Sequence, residues 1–268
     1  MSTATPHVLL FGGNGRVAKA MTTIMLSRSW KVTSVIRNIK QKKDKLQLGD
    51  PSSHLLDVLE CDLANLRSSQ DAAEIMQKIR PNIVVFAAGS FTTPYTIDRD
   101  AAQHISHAAS EADSVRKLLT ISFPASRRNP APWWTPQDIA AYSQESAAYP
   151  AIKDAKLQAD EYAIAVARRR ETRGGPPFQV ISLRPSWLTS GLGTGRVRLG
   201  RTQAVGEVSI GDVAGVAVAL LGREDTRGWF DLVAGEEEIE GAVERVVGEG
   251  VDCIAGEDVE GTYKLVEG

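Results

Sequence analysis

Short apolar runs alternate with longer segments in which apolar residues recur at helical spacing over most of the chain. That alternation predicts βαβ units, and hence a parallel sheet with helices on both faces. The runs place strands at Val8 to Phe11, Lys31 to Ile36, Leu55 to Glu60, Asn82 to Ala87, Leu118 to Ser122, Gln179 to Leu183 and Trp229 to Val233. The periodic segments place helices at Arg16 to Ser29, Ser69 to Ile79, Arg99 to Ala112, Ala151 to Arg170 and Gly211 to Leu221. Right-handed crossovers leave a doubly wound α/β sheet as the economical topology.

Two segments interrupt the rhythm. The stretch 123–149 carries four prolines, Arg127-Arg128 and the pair Trp133-Trp134, and reads as a lid-like loop. The stretch 185–210, rich in Gly and Arg, reads as part of a small C-terminal subdomain that covers substrate. From Glu236 the chain turns acidic and suggests a solvated helix followed by an edge strand or tail. Residues 1–268 fit one large domain.

Composition narrows the function classes. The 268 residues are 43% hydrophobic and 24% charged, with a formal net charge of -2, which excludes disorder and offers no bulk positive charge for nucleic acid. The expected partner is a small molecule, with neither nucleic acid nor membrane, and the chain is expected to be a monomer or homodimer. Cys61 and Cys253 stand far apart with no metal-ligand spacing around them, as buried free thiols of a reducing compartment would. No signal pattern or membrane-length apolar run accompanies them, so a cytoplasmic location is expected. His104 and His107 share a helix face without a third ligand, so no metal site is expected.

The strongest chemical signal follows the first strand. Gly12-Gly13-Asn14-Gly15-Arg16-Val17-Ala18 turns directly into the first helix, the context of a dinucleotide site. Gly12 permits the tight turn, Gly15 lets backbone approach a pyrophosphate, and Ala18 lets helix and strand pack closely. The phosphates would rest on the N-terminal N–H groups of the helix. An acid at the end of the second strand would bind a ribose 2′-hydroxyl, but Arg37 stands there, which suits a 2′-phosphate and favours NADP(H) over NAD(H). Lys40, Lys42, Lys43 and Lys45 follow and read as a solvated face. Asp62, beside Leu63, could accept from an adenine amino group or merely cap a helix. Ala87-Ala88-Gly89 closes the fourth strand with small residues, leaving room for a cofactor or making a tight turn. Trp133 and Trp134 could stack on an aromatic substrate or pack the loop.

The Gly12 to Ala18 turn, Arg37, Cys61-Asp62-Leu63, Ala87-Ala88-Gly89, Asp98, Ser122, Ala155 to Asp160, Leu183-Arg184-Pro185, Gly193-Thr194-Gly195 and Gly211-Asp212-Val213-Ala214 together resemble the atypical short-chain dehydrogenase/reductase superfamily, in particular its NmrA-like NAD(P)-binding branch. The resemblance runs over nearly the whole chain and implies a Rossmann-like fold. It implies a cofactor site formed by Gly12, Gly13, Asn14, Gly15, Arg16, Val17, Arg37, Asp62, Leu63, Ala87, Ala88, Gly89 and Lys156.

Active members of the superfamily pair a proton-transferring Tyr with a Lys four residues later. Tyr149 and Lys153 satisfy that spacing literally, and Ser122 could polarise a substrate carbonyl. The family's Lys is followed four positions later by an acid, which describes Lys156 with Asp160 and puts Ile152 at the tyrosine position. Tyr149, Ser122, Lys153 and Lys156 are therefore the catalytic candidates. The branch implies an NADP(H)-dependent oxidoreductase acting on a small carbonyl, enone or alcohol. It also includes non-catalytic NADP-sensing regulators, and the fold serves non-redox isomerases, lyases and cyclases as well.

Overall fold

The computed structural model describes residues 5–38, 40 and 54–266; Lys42, Lys43 and Lys45 lie outside the described residues. The chain begins with β1 (His7–Phe11), α1 (Arg16–Ser27), β2 (Lys31–Ile36) and β3 (Leu56–Glu60), then α2 (Ser69–Ile79) and β4 (Ile83–Phe86). A π-helical stretch, Tyr95–Ala101, leads into α3 (Ala102–Glu111), followed by β5 (Lys117–Ile121), α4 (Pro136–Ala148), α5 (Pro150–Thr172) and β6 (Gln179–Pro185). Three short strands, β7 (Trp187–Thr189), β8 (Arg196–Gly200) and β9 (Glu207–Ser209), precede α6 (Ile210–Leu221) and β10 (Gly228–Ala234). The chain closes with β11 (Glu237–Glu238), α7 (Ile239–Gly248) and α8 (Val259–Tyr263).

The main sheet runs β11-β8-β10-β6-β5-β4-β1-β2-β3. Its strands from β10 to β3 are parallel, while β8 pairs antiparallel with both β10 and β11. The inner strands are apolar runs because both faces are covered: Val8, Leu9, Leu10 and Phe11 are fully buried. On one face α1, α6 and α7 pack through Val17, Met21, Val213, Val216, Val243 and Val246. On the other, α2, α3 and α5 pack through Met76, Ile105, Ala109, Ala159 and Ala163. The result is a doubly wound, Rossmann-like sheet whose order reverses between β1 and β4. In such sheets the crevice at the carboxyl ends beside the reversal is the ligand site.

Two expectations change. The stretch 123–149 is not a loop throughout: α4 occupies half of it, opened by Thr135 and Asp138 in a reciprocal capping box with Pro136 in the first turn. Of this helix only Tyr142 is buried, so its apolar periodicity is too sparse to show in the sequence. The acidic C-terminal stretch reverses the expected order: β11 pairs with β8 first, and α7 follows with Ile239, Ala242, Val243 and Val246 buried. The segment 185–210 supplies β7 and β9, which form a small parallel pair beside the main sheet, and β8, which joins it. No helix of the described residues is long and apolar enough to cross a membrane.

Candidate functional site

The turn between β1 and α1 is held tightly against the sheet. Gly12 adopts φ +77°, and a Cβ there would lie 2.6 Å from the Ala88 backbone nitrogen, so only glycine lets the two loops touch. Gly13 N–H donates to the Val35 carbonyl at 2.8 Å and Gly15 N–H to that of Gly12 at 2.8 Å. Gly15 is the N-cap of α1 and offers no side-chain cap, which leaves the first-turn N–H groups facing an open end. Among the described residues, the buried Asn14 Oδ1 has no hydrogen-bond partner. Close-packed glycines and an uncapped helix end, with its free N–H donors, fit a pyrophosphate.

From this turn a cleft of about 360 Å³ extends along the carboxyl ends of β1, β4, β5 and β6. Gly15, Arg16, Val17, Ala87, Ala88 and Gly89 line one end. Ser122, Tyr149, Ile152 and Lys156 line the middle, and Trp187, Leu188, Ala204 and Val205 cover the far side. Arg16 Nη1 reaches Ser190 Oγ at 3.3 Å across the mouth.

Lys156 projects from α5 into the cleft. Its ammonium donates to the Ile121 carbonyl at 3.0 Å and pairs with Asp98 Oδ1 at 3.0 Å. Asp98 is buried and also accepts from Ser90 N–H. An ammonium has three N–H groups, so one remains for a ligand in the cleft. Gly89 packs closely against this pair: a Cβ there would stand 3.1 Å from Asp98 Oδ1.

Lys153 does not share the cleft. Its ammonium donates to Tyr142 Oη at 2.8 Å and lies over the Tyr142 ring. The literal Tyr149/Lys153 spacing does not bring the two together because Tyr149 is not inside a helix. It is the junction between α4 and α5, with φ −130° and ψ 52°, so the rule that residues four apart share a face does not reach it. Tyr149 lines the cleft with its ring edge-on to Phe91 and Trp187, at 6.5 and 5.5 Å between centroids. Ile152 occupies the cleft one helical turn before Lys156.

Ser122 lies on the floor, and its hydroxyl donates to Asp160 Oδ2 at 2.5 Å. Its proton is therefore committed and its free capacity is that of an acceptor, the opposite of what polarising a carbonyl requires. Asp160 also accepts from Thr120, Ser182 and Arg184, so the acid four positions after Lys156 serves as the buried hub that fixes the floor. Behind it Arg184 bridges Asp160 and Asp231 and stacks on Trp229. Burial pushes the Asp231 carboxyl up to about 6, against the pull of Arg184 and Arg127.

The remaining candidates divide. Arg37 is exposed just beyond the end of β2, and Lys40 is exposed nearby. Asp62 caps a short 3-10 turn by accepting from Ala64 N–H at 3.1 Å, and Leu63 is buried in the core. Neither lines the cleft. Both tryptophans of the 123–149 segment pack that segment: each indole N–H donates to the Thr202 carbonyl, and Trp134 packs at a tilt against Tyr142. Arg127, fully buried and lowered by that burial, ties the segment to the carbonyls of Cys253 and Ala255. His107 Nδ1 hydrogen-bonds the Tyr162 hydroxyl at 3.0 Å, and no group of side chains that could hold a metal occurs among the described residues. Cys253 is buried and Cys61 half-buried, both as free thiols.

Phe91, Glu145 and Trp187 face the cleft without having been singled out by their sequence context. Glu145 lies one helical turn before Tyr149, in a helix the sequence pattern conceals. Trp187 opens the short strand β7 and Phe91 lies in the connection after β4, and neither belongs to a motif.

A family model described as NAD(P)H-binding matches residues 12–224. The UPF0659 protein C216.03 of Schizosaccharomyces pombe is 26% identical over 201 residues, 72% of this chain and 75% of its own. The oxidoreductase ylbE of Lactococcus lactis superposes with a TM-score of 0.69 at 18% identity, over 90% of this chain and 97% of its own. The yeast methylglyoxal/isovaleraldehyde reductase Gre2, solved with NADPH, gives 0.63 at 16% identity, over 85% and 78% respectively. The likeness to these two structures is one of fold.

Proposed function

This chain belongs to the NAD(P)H-binding family, and from that premise we propose that it is an NADP(H)-dependent oxidoreductase of the atypical short-chain type, acting on a small organic carbonyl, enone or alcohol. The observation that carries the proposal is a single cleft running from the open N-terminus of α1 to Lys156, Ser122 and Tyr149. The chemistry supplied by a bound nicotinamide is hydride transfer.

The chain's own residues bind, orient and manage protons. The turn 12–17 and the first N–H groups of α1 hold the pyrophosphate, with Arg16 alongside. Arg37 pairs with the 2′-phosphate, an anion that a guanidinium recognises in bidentate fashion. Lys156, steadied by Asp98 and the Ile121 carbonyl, gives its remaining N–H to the ribose of the nicotinamide. Ser122 accepts a hydrogen bond from substrate or ribose, because Asp160 already takes its proton. Tyr149, which lines the cleft, gives or takes the proton at the substrate oxygen. Pro185, Leu188 and Val205 exclude water from the substrate end.

Ile152 favours a second reading. It puts an apolar side chain in the cleft where the family spacing from Lys156 places a tyrosine, as in an NADP-responsive binding protein without turnover. Single-turnover oxidation of bound NADPH with a panel of aldehydes, ketones and enones separates the two. Oxidation by any carbonyl supports the enzyme; intact NADPH binding with silence across the panel overturns it in favour of the binder.

A further inference from the structure

The substrate end of the cleft carries one carboxylate that the cofactor reading does not use. Glu145 projects from α4 toward β7, and its Oε1 accepts from Trp187 Nε1 at 3.3 Å. Its Oε2 is shielded from solvent and has no hydrogen-bond partner among the described residues. The other charged side chains lining the cleft are engaged: Asp98 with Lys156, and Arg16 with Ser190 beside the open end of α1. The side chains that line the cleft around Glu145 are mostly aromatic or apolar. Phe91, Tyr149 and Trp187 form a row of edge-on rings, and Leu188 and Val205 continue it. A carboxylate oxygen removed from water without a donor is costly, and a ligand that supplies the donor recovers that cost.

We propose that Glu145 is the specificity-determining residue of the substrate site and selects planar, apolar substrates that carry an O–H or N–H donor, while repelling anionic ones. The proposal rests on the substrate end lying beside Tyr149 and Trp187, as in the function proposed above. The aromatic row holds the planar body. Trp187 Nε1 holds Oε1, which leaves Oε2 to take the donor in a charge-assisted hydrogen bond. A site of this kind discriminates by leaving its own polar atom unpaired when the wrong ligand binds.

The test is equilibrium binding, which needs no turnover. The NADPH-loaded protein is titrated with 4-hydroxybenzaldehyde, 4-aminobenzaldehyde, 4-methoxybenzaldehyde and 4-carboxybenzaldehyde, following tryptophan fluorescence and calorimetry. The wild type is expected to bind the hydroxy or amino compound at least tenfold tighter than the methoxy compound, and to bind the carboxylate weakest. In E145L the preference for a donor collapses to within twofold. In E145Q binding of the carboxylate compound improves at least threefold while the donor preference is partly kept. A wild-type protein that does not discriminate, or binds none of the four, overturns the proposal, as does a preference unchanged in E145L. Absence of NADPH oxidation with the donor preference intact overturns the reductase reading alone. Circular dichroism and NADPH affinity of both variants, expected to match wild type because Glu145 is outside the core, separate lost recognition from lost folding.

Discussion

Replacing Gly13 by alanine drives a methyl group into Ser34. The new Cβ would stand 2.0 Å from Ser34 Oγ, 3.1 Å from the Val35 carbonyl oxygen and 3.2 Å from Ser34 Cβ. Retreat is blocked, because Gly13 N–H is anchored to the Val35 carbonyl and Ser34 is fully buried in β2. Overpacking of that severity costs about 2–3 kcal/mol, or roughly 4–5 °C in melting temperature for a chain of this size. Ser34→Ala alone is expected to cost less than about 1 kcal/mol, because the hydroxyl it removes has no partner among the described residues. It also removes the 2.0 Å contact and leaves only the two near 3 Å. The double variant G13A/S34A should therefore recover about 2 kcal/mol, a coupling read directly from the four-member cycle. Urea unfolding of the four proteins supplies the energies, and NADPH titration supplies the consequence for the turn. G13A should weaken NADPH about tenfold, with recovery in the double variant. If Gly13→Ala costs the same in both backgrounds, the collision with Ser34 is not what excludes a side chain there.

Arg37→Glu should weaken NADPH by at least tenfold while leaving NADH within about threefold, since only the former has a 2′-phosphate to lose or repel; equal losses by fluorescence titration would remove Arg37 from that role. Lys156→Met strands a buried Asp98 and should cost about 3 kcal/mol of stability, much of it returned by adding Asp98→Asn, whereas cofactor affinity should stay low in both. Lys153→Met should leave cofactor affinity within about twofold, because Lys153 bonds Tyr142 outside the cleft; a loss equal to that of Lys156→Met would refute the assignment. Asp231 sets a pH dependence. Its folded pKa, about 6 against an ordinary 3.8, means the folded state holds that proton more tightly, so its stabilising contribution is full at low pH and is lost as pH rises from about 4 to 6. Between pH 7 and 5 the wild type should gain about 1 kcal/mol relative to Asp231→Asn, measured as the difference in unfolding free energy; a difference independent of pH would show that Asp231 is ionised throughout.

Most of the architecture was legible because its signals are local. A strand buried on both faces must be an apolar run, as β1, β4 and β5 are, and a helix against the sheet must repeat apolar residues, as α1 and α6 do. The glycine turn was equally plain, since Gly12 and Gly13 are demanded by contacts within one βα unit and its immediate neighbours. The helix α4 escaped because a helix that buries only Tyr142 has almost no periodicity to display, although its Thr135-to-Asp138 capping box was present in the sequence. The polar C-terminal stretch misled for a related reason: its helix buries a narrow face inside an acidic exterior.

The sequence alone determined the parallel core of the sheet and the glycine turn after its first strand, because residue type and short spacing are sufficient for each. Only the tertiary structure decided which lysine enters the cleft, since Lys153 and Lys156 lie three apart on one helix and their environments come from distant elements, Tyr142 for one and Asp98 with Ile121 for the other. It likewise decided that Ser122 gives its proton to Asp160, and that Glu145, Trp187 and Phe91, separated by up to 96 positions in the chain, share one wall. Long-range contacts of this kind leave no periodic trace, because nothing in the local physics of either segment requires the other.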